Sequence, residues 1–235
     1  MTPAPPALAV VVTGGDRPDP ALVAALGLPA EGRVVVAADS GVAHALALGL
    51  TVDIAVGDFD SLDPLVLDAV EAAGTRVERH PAAKDATDLE LAIDVAVGLG
   101  ASRIIVLGAH GGRLDHFLAN AFVLAAPQLG AVDVEALVGD ALVTVVRPGP
   151  GLHFGGRVGE LVTILPVHGP AEGVRTGGLL YPLRGETLTV GTTRGVSNVL
   201  TTDEASVELT GGVVLVVRPV PAALPLPTDD IEPGA

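Results

Sequence analysis

Hydrophobic residues in the first half of the chain come in short runs separated by longer, helical patterns. The runs within residues 34–38, 53–56 and 103–108 lack the strict alternation of a half-exposed strand, and are typical of strands buried on both faces. Between them, apolar residues recur at three- and four-residue spacing, which is the period of an amphipathic helix. The alternation of the two patterns predicts a parallel sheet covered by helices on both faces.

Polar residues mark the starts of three predicted helices. Ser40 precedes one helical pattern, and Asp63 stands before Pro64, as an N-cap stands before a proline at the first helical position. Thr87 and Glu90 have the T-x-x-E spacing of a capping box. We therefore expect helices to begin at these points, each directly after a strand and its loop.

The pattern changes after Leu137, where short β-type segments are separated by glycine. Two of these segments, at residues 205–210 and 213–217, flank Gly211 and Gly212. A glycine pair between two strands predicts a tight two-residue hairpin, because such turns need positive φ. These features predict a small antiparallel β-sandwich.

The fold class predicted for the whole chain is α/β, with a Rossmann-like parallel-sheet domain followed by the small antiparallel β-sandwich. We place the first domain at residues 1–136 and the second at 137–218. Residues 219–235, rich in proline and acids, are expected to form a loose tail. The segment at 147–151, Arg-Pro-Gly-Pro-Gly, is either an interdomain linker or a turn inside the second domain, and the change of pattern favours the boundary near residue 137.

Composition narrows the choice of partners. The 235 residues are 49% hydrophobic, which is enough for a substantial core, and 28 acidic against 13 basic residues give a formal charge of -15. Such a charge disfavours nucleic acid and anionic membrane. We find no membrane span, and the N-terminal apolar run lacks the positive flank of a signal peptide. The absence of cysteine excludes disulfides and thiolate metal sites, so a cytoplasmic location is expected.

Aspartates cluster in loops that follow the predicted strands. The positions are Asp39, Asp58, Asp60, Asp85, Asp88 and Asp115. Ligands of open α/β sheets bind at the carboxyl ends of the strands, so we expect these loops to converge in one crevice. Converging carboxylates need cations to stay ionised together, and oxygen ligands without cysteine favour Mg²⁺.

Basic residues and glycines beside these aspartates suit a phosphate-bearing substrate. Lys84 and Arg113 adjoin the acidic loops, and the turn of Gly111 and Gly112 exposes backbone N–H groups to an anion. The earlier segment Thr-Gly-Gly-Asp at 13–16 is expected to be only a turn after the first strand. The residues by themselves predict Mg²⁺-dependent transfer from a nucleotide and do not identify the acceptor.

Several segments together resemble the thiamine pyrophosphokinase family. The family's catalytic domain is similar to DSGVAHALALGL, DIAVGDFDSL, KDATDLELAI and GGRLDHFLANAFVL, and its thiamine-binding β domain is similar to GLLYPLRGETLTVGTTRGVSN. The resemblance spans residues 34–217 in the family's order. It implies pyrophosphoryl transfer from ATP to the hydroxyl of thiamine, giving thiamine diphosphate and AMP, with Mg²⁺. It also implies a homodimer with composite active sites.

The resemblance implies roles for individual residues. Metal ligands are expected at Asp39, Asp58, Asp60 and Asp88. Catalytic roles are expected for Asp58, Asp60, Asp88, Arg113 and Asp115, where Asp115 either orients Arg113 or holds metal. ATP contacts are expected from Lys84, Asp85, Arg113, His116 and Asn120. Thiamine contacts are expected from Ser197 and Asn198.

Two features depart from the family's pattern. Val199 follows the Ser-Asn pair where an acid is common, and the chain has no tryptophan to stack on thiamine. Two alternatives therefore stay open: a pyrophosphokinase acting on a hydroxymethyl-pterin, and a non-catalytic thiamine or nucleotide sensor. The Tyr-Pro-Leu and Gly-Val-Ser-Asn segments argue against the first, and the intact aspartates with Arg113 argue against the second.

Overall fold

Strands and helices alternate along the first part of the chain in the structure, a computed structural model that describes residues 6–111 and 113–220. The helices are α1 (Pro20–Ala25), α2 (Gly41–Ala47), α3 (Pro64–Ala72), α4 (Asp88–Gly98) and α5 (Leu114–Leu124). The strands are β1 (Leu8–Val12), β2 (Arg33–Ala38), β3 (Ile54–Gly57), β4 (Arg76–Arg79), β5 (Arg103–Leu107), β6 (Asp133–Val138), β7 (Ala141–Val146), β8 (Leu152–Gly155), β9 (Leu161–Gly177), β10 (Arg184–Leu188), β11 (Asn198–Val199), β12 (Glu204–Glu208) and β13 (Gly211–Pro219). None of the described helices is long and apolar enough to cross a membrane.

Six parallel strands form the main sheet, in the order β4-β3-β2-β1-β5-β6. From β1 the chain moves outward through β2, β3 and β4, then returns to β5 on the other side of β1. Side chains from opposite faces of β1 enter two separate cores, one containing α4 and the other containing α1, α2 and α3. The predicted α/β class with a covered parallel sheet is therefore confirmed, and the loops after β1 and β5 diverge at a topological switch point.

All three helices begin where the sequence predicts, and two of the three predicted caps make their hydrogen bonds. The Asp63 carboxylate accepts a hydrogen bond from Leu65 N at 2.9 Å, and the Thr87 hydroxyl accepts one from Glu90 N at 3.2 Å. Ser40 occupies the N-cap position of α2 but makes no capping hydrogen bond. The reason is local, because its backbone is already helical (φ -61°, ψ -11°), whereas a capping side chain needs an extended backbone.

The antiparallel strands continue the main sheet. After β6 the order is β7-β13-β9, so hydrogen bonding runs on across the predicted boundary near residue 137. The 17-residue strand β9 then bends, and its second half pairs with β10 and β12. Side chains from both halves of β9 share one buried core, which supports the predicted second layer. The division into two domains at that boundary stays a prediction, and residues 221–235 of the predicted tail lie outside the described residues.

The hairpin predicted at Gly211 and Gly212 is wrong. Both β12 and β13 run antiparallel to β9, one after the other, and within the described residues they do not pair with each other. Gly212 does have positive φ (+78°), but it lies at a bend in the strand, where a Cβ would stand 2.2 Å from the Pro170 carbonyl oxygen. The glycines therefore permit a register shift of the β-bulge type with a close backbone approach, which gives the same sequence signal as a turn.

Candidate active site

A cleft of about 790 Å³ opens at the carboxyl ends of the parallel strands. The structure brings most of the predicted site residues of the first domain together there: Asp39, Asp58, Asp60, Lys84, Asp88, Arg113, His116 and Asn120 line the cleft. Asp85 is exposed and Asp115 points to Arg113, and neither belongs to the lining. The topology explains the convergence, because each lining loop follows a strand of one parallel sheet.

Three carboxylates form the centre of the cleft. Asp39, Asp58 and Asp60 each place an oxygen so that the three atoms lie within 4.8 Å of one another. Asp39 follows β2 with φ +48°, and Phe59, between the other two, has φ +59°. Positive φ is unfavourable for such residues, and here the Phe59 ring is buried in the core and fixes the loop. The strained loop therefore holds its two aspartates in a defined position.

The charges that act on Asp39 are mainly those of neighbouring carboxylates. Its Oδ1 is buried and, among the described residues, accepts no hydrogen bond. Burial raises the pKa of this carboxyl; the backbone N–H of Ser40 opposes the shift, and the negative charges of Asp88, Asp58 and Asp60 reinforce it. An unsatisfied oxygen in a cluster of hard oxygen donors fits a divalent cation such as Mg²⁺.

Lys84 lies beside this cluster. Its Nζ is 3.2 Å from Asp58 Oδ2 and 2.9 Å from Asp88 Oδ1, and the side chain is only 13% exposed. Desolvation lowers the pKa of Lys84, but the hydrogen bonds and charges of Asp88 and Asp58 outweigh this effect. The net result is a raised lysine pKa. The pKa of Asp58 is lowered, first by the backbone N–H of Asp60 and then by Lys84. The Lys84–Asp58 pair is therefore charged at neutral pH.

Gly57 allows Asp88 to reach the cluster. Asp88 begins α4 on a different loop from Asp39 and Asp58, and its Oδ1 would lie only 3.2 Å from a Cβ built at Gly57. The same Cβ would stand 3.2 Å from the backbone nitrogen of Asp39. A larger residue at position 57 would push the β2 and α4 loops apart.

Arg113 and Asp115 form a bidentate ion pair at the edge of the cleft. Arg113 Nη2 donates to Asp115 Oδ2 at 2.6 Å and Nε donates to Oδ1 at 3.2 Å. The hydrogen bond from Arg113 is the main cause that lowers the pKa of Asp115 to about 2. The geometry favours an orienting role for Asp115 over metal ligation. Gly112, part of the predicted anion-binding turn, lies outside the described residues.

The loop at residues 13–16 contributes a wall of the cleft, which the sequence analysis missed. Asp16 N donates to His110 O at 2.7 Å, so the loops after β1 and β5 are joined. Gly15 has φ +141°, and a Cβ there would stand 2.4 Å from the same oxygen. A glycine pair at the end of the first strand, beside the switch point, was the available signal. Further along, Asn120 Nδ2 donates to Ala109 O at 3.1 Å and fixes the end of β5 against α5.

A second cavity, of about 370 Å³, lies in the antiparallel part of the molecule. Asn198 lines it and is 1% exposed, but its amide is bonded to the backbone of Tyr181. Tyr181 N donates to Asn198 Oδ1 at 2.9 Å, and Asn198 Nδ2 donates to Tyr181 O at 2.8 Å. Ser197, with φ +54°, is exposed and outside the lining. The Asn198 amide thus fixes the backbone of Tyr181 beside the cavity.

Tyr181 lines this cavity, although the sequence predicts no role for it beyond its place in the Tyr-Pro-Leu segment. It is the single tyrosine of a chain without tryptophan, and it is 55% exposed at the cavity. Because Asn198 holds its backbone from both sides, the ring is presented from a fixed point. The scarcity of aromatic residues was the available signal. No described residue lines both this cavity and the first cleft.

Comparison with known proteins places both regions in one family. The model of "Thiamin pyrophosphokinase, catalytic domain" matches residues 28–134, and that of "Thiamin pyrophosphokinase, vitamin B1 binding domain" matches residues 152–214. A thiamine pyrophosphokinase of Bacillus subtilis is 27% identical over 180 residues, covering 77% of this chain and 84% of that protein.

Solved structures agree with these matches. The crystal structure of thiamine pyrophosphokinase from Bacillus subtilis has a TM-score of 0.78 at 26% identity and covers 92% of this chain and 100% of its own. The thiamin pyrophosphokinase structure from Geobacillus thermodenitrificans has a TM-score of 0.74 at 26% identity, covering 92% and 99%. Together the two models account for most of the described residues in the family's domain order. The chain belongs to the thiamine pyrophosphokinase family.

Proposed function

We propose that this protein transfers a pyrophosphoryl group from ATP to thiamine, giving thiamine diphosphate and AMP. In this step the thiamine hydroxyl oxygen bonds to the β-phosphorus of ATP, the bond from that phosphorus to the α–β bridging oxygen breaks, and the hydroxyl proton is lost. The observation that carries the proposal is the convergence of three carboxylates with Lys84 and Arg113 in one cleft. The match of the chain to both family models supports it.

The carboxylates are proposed to hold Mg²⁺. Asp39, Asp58 and Asp60 offer converging oxygens. Lys84 connects Asp88 to this group, because its ammonium contacts both Asp88 and Asp58. When bound, the metal would neutralise phosphate charge in the cleft. Carboxylates without a metal would repel ATP, so the same residues that hold the cation would otherwise oppose substrate binding.

The ATP phosphates are proposed to bind Lys84 and Arg113, which line the cleft from different loops. Asp115 keeps the guanidinium in place through its two hydrogen bonds, and this orientation is its proposed part in catalysis. His116 and Asn120 lie further along α5 and are proposed to meet the nucleotide. Positioning and charge stabilisation supply most of the rate in phosphoryl transfer, and this arrangement provides both.

Thiamine is proposed to bind at the second cavity, near Ser197 and Asn198. The exposed ring of Tyr181 provides an aromatic surface there in place of a tryptophan. Asn198 contributes by holding Tyr181, since its side-chain amide is bonded to that residue's backbone. The separation of the two cavities supports a second proposal, that the acceptor reaches the phosphates of a neighbouring subunit.

A homodimer would supply that neighbour. Helix α5 carries an exposed apolar stripe of Leu114, Leu118 and Phe122, at i, i+4 and i+8. Exposed Tyr181 and Val196 line the second cavity, and exposed Leu180 precedes Tyr181 in the chain. Exposed apolar groups of this extent on one chain support their burial against a second copy, with two-fold symmetry relating the two composite sites.

Product analysis tests the proposal. Purified protein is incubated with ATP, Mg²⁺ and thiamine, and we expect AMP and thiamine diphosphate in equal amounts. ADP with thiamine monophosphate would contradict pyrophosphoryl transfer. A hydroxymethyl-pterin in place of thiamine is the control for the acceptor. Excess EDTA should abolish product formation, and turnover that survives it would remove the metal from the proposal.

A further inference from the structure

Lys84 is the single lysine of the chain, because the other twelve of its 13 basic residues are arginines. This one ammonium group lies inside the acidic cluster, 3.2 Å from Asp58 Oδ2 and 2.9 Å from Asp88 Oδ1, and is largely buried. Asp58 therefore belongs to two groups at once, since its carboxylate also joins the trio with Asp39 and Asp60. A bound cation and the ammonium of Lys84 would therefore both depend on the Asp58 carboxylate.

We propose that Lys84 is an internal counter-ion that competes with the divalent cation for Asp58 and Asp88, and that it is freed for the phosphates of ATP when the cation binds. The inference rests on the metal-dependent function proposed above. An ammonium and a divalent cation a few ångströms apart repel each other, so full metal ligation by Asp58 requires the lysine to move. Metal loading would thereby prepare the phosphate-binding cation.

The choice of lysine over arginine supports this exchange. A guanidinium holds carboxylates through a rigid planar fork, as Arg113 holds Asp115. An ammonium is a compact charge on a flexible four-carbon stem and can change partners by rotation. All the remaining basic residues of the chain are arginines. Lysine occurs only at the position where, in this proposal, the side chain must give way to a metal ion.

Binding of Mn²⁺ alone to nucleotide-free protein, measured by electron paramagnetic resonance, tests the competition. Lys84→Met should bind Mn²⁺ about tenfold more tightly than the unchanged protein, because one competing charge is gone. Lys84→Arg should bind Mn²⁺ more weakly than the unchanged protein, because a guanidinium holds carboxylates through a rigid planar fork. Arg157→Met is the matched control, since it removes one positive charge from the Arg157–Glu160 pair, outside the cleft, and should leave the affinity unchanged.

The single lysine also allows a direct test of its movement. Reductive methylation with ¹³C-formaldehyde labels Lys84 and the α-amino group, and Lys84→Arg identifies the lysine signal. Mg²⁺ should shift that signal, and a non-hydrolysable ATP analogue should shift it again. The measurement does not depend on whether Lys84→Met folds, which circular dichroism would show.

Each outcome decides the proposal. Tighter Mn²⁺ binding by Lys84→Met, with a lysine signal that moves on Mg²⁺ addition, supports it. Equal Mn²⁺ affinity in the two proteins, no binding by either, or a signal that Mg²⁺ leaves unmoved overturns it. An enzyme that still forms AMP and thiamine diphosphate in any of these cases retains the proposed function, so the two failures are distinguishable.

Discussion

The two cavities that contain predicted site residues differ in how their polar groups are satisfied. The cleft at the parallel strand ends gathers charged side chains, and Asp39 keeps a buried oxygen that has no hydrogen-bond partner among the described residues. In the second cavity, both ends of the Asn198 amide are bonded to the Tyr181 backbone. Charged groups without hydrogen-bond partners are suited to bind a cation and phosphates, whereas a fully hydrogen-bonded amide stabilises the local backbone structure.

This difference separates function from stability. Removing a charge from the first cleft takes away little that the fold needs, because aspartates in one cluster repel each other. Removing an amide or a glycine from the antiparallel part disturbs the backbone itself. We therefore expect variants of the first region to lose turnover and keep their stability, and variants that remove an amide or a strained glycine from the second region to lose stability.

The largest effect is expected from Asp58→Asn and Asp60→Asn. Each should lower the rate of thiamine diphosphate formation by roughly 100-fold or more, because a ligand charge for the metal is lost. The melting temperature should stay nearly unchanged. Asp68→Asn, the same chemical change at an exposed position of α3, is the matched control and should keep full activity. A near-normal rate for either variant at saturating Mg²⁺ would show that its carboxylate does not hold the metal.

Sequence was sufficient for the first region because its signals are local. Each strand is continuous in the chain, and Asp39, Asp58 and Asp60 directly follow strands whose parallel order brings their ends together. The helix caps at Asp63 and Thr87 depend on contacts two or three residues away. What the pattern could not give is the wall at residues 13–16, which depends on packing against the loop after β5.

The second region was harder to predict because its contacts are distant. Gly212 signals a turn in sequence, but it lies at a register shift between β13 and β9, close to the backbone of Pro170, about forty residues earlier. Asn198 resembles a ligand-contacting residue, yet its partner is Tyr181. Glycine and asparagine favour turns and irregular backbone alike, whatever their role in the fold. Only the strand pairing in the structure shows which role Gly212 and Asn198 have.

Gly212→Ala tests whether the bend is needed for stability. The positive φ and the close approach to the Pro170 oxygen should together destabilise the fold by about 3 kcal/mol, measured by urea unfolding. Gly159→Ala is the matched control, since Gly159 also has positive φ (+95°) but no atom within 4 Å of a built Cβ, and should cost only about 1 kcal/mol. Equal losses in the two variants would mean that the close approach to Pro170 adds no cost beyond that of the positive φ.

Tyr181→Ala and Asn198→Ala test how the second cavity binds thiamine. Both should raise the KM for thiamine about tenfold and leave the KM for ATP unchanged, because stacking on an aromatic ring is lost or misplaced. Only Asn198→Ala should also lower the melting temperature, since it removes buried hydrogen bonds. Tyr181→Phe should behave like the unchanged protein. Thiamine binding should also alter the tyrosine fluorescence, which comes from Tyr181 alone.

An increase in both KM values would place Asn198 nearer the nucleotide and contradict the separation of the two cavities. The thiamine site would lie away from this cavity if Tyr181→Ala keeps its thiamine KM and if thiamine leaves the tyrosine fluorescence of the unchanged protein unaltered.

The smallest expected effect, and the most specific, concerns whether one active site draws on two chains. Asp58→Asn and Tyr181→Ala proteins are mixed after reversible dissociation and assayed at thiamine well below KM. If sites are shared, a mixed dimer has one site with both defects and one with neither. Random pairing makes about half the dimers mixed, so about a quarter of full activity should return. If each site lies within one chain, only about a twentieth should remain, from the residual activity of the tyrosine variant. A result near a twentieth, with mixed dimers demonstrated by mass spectrometry, would refute shared sites while leaving the chemistry of the cleft intact.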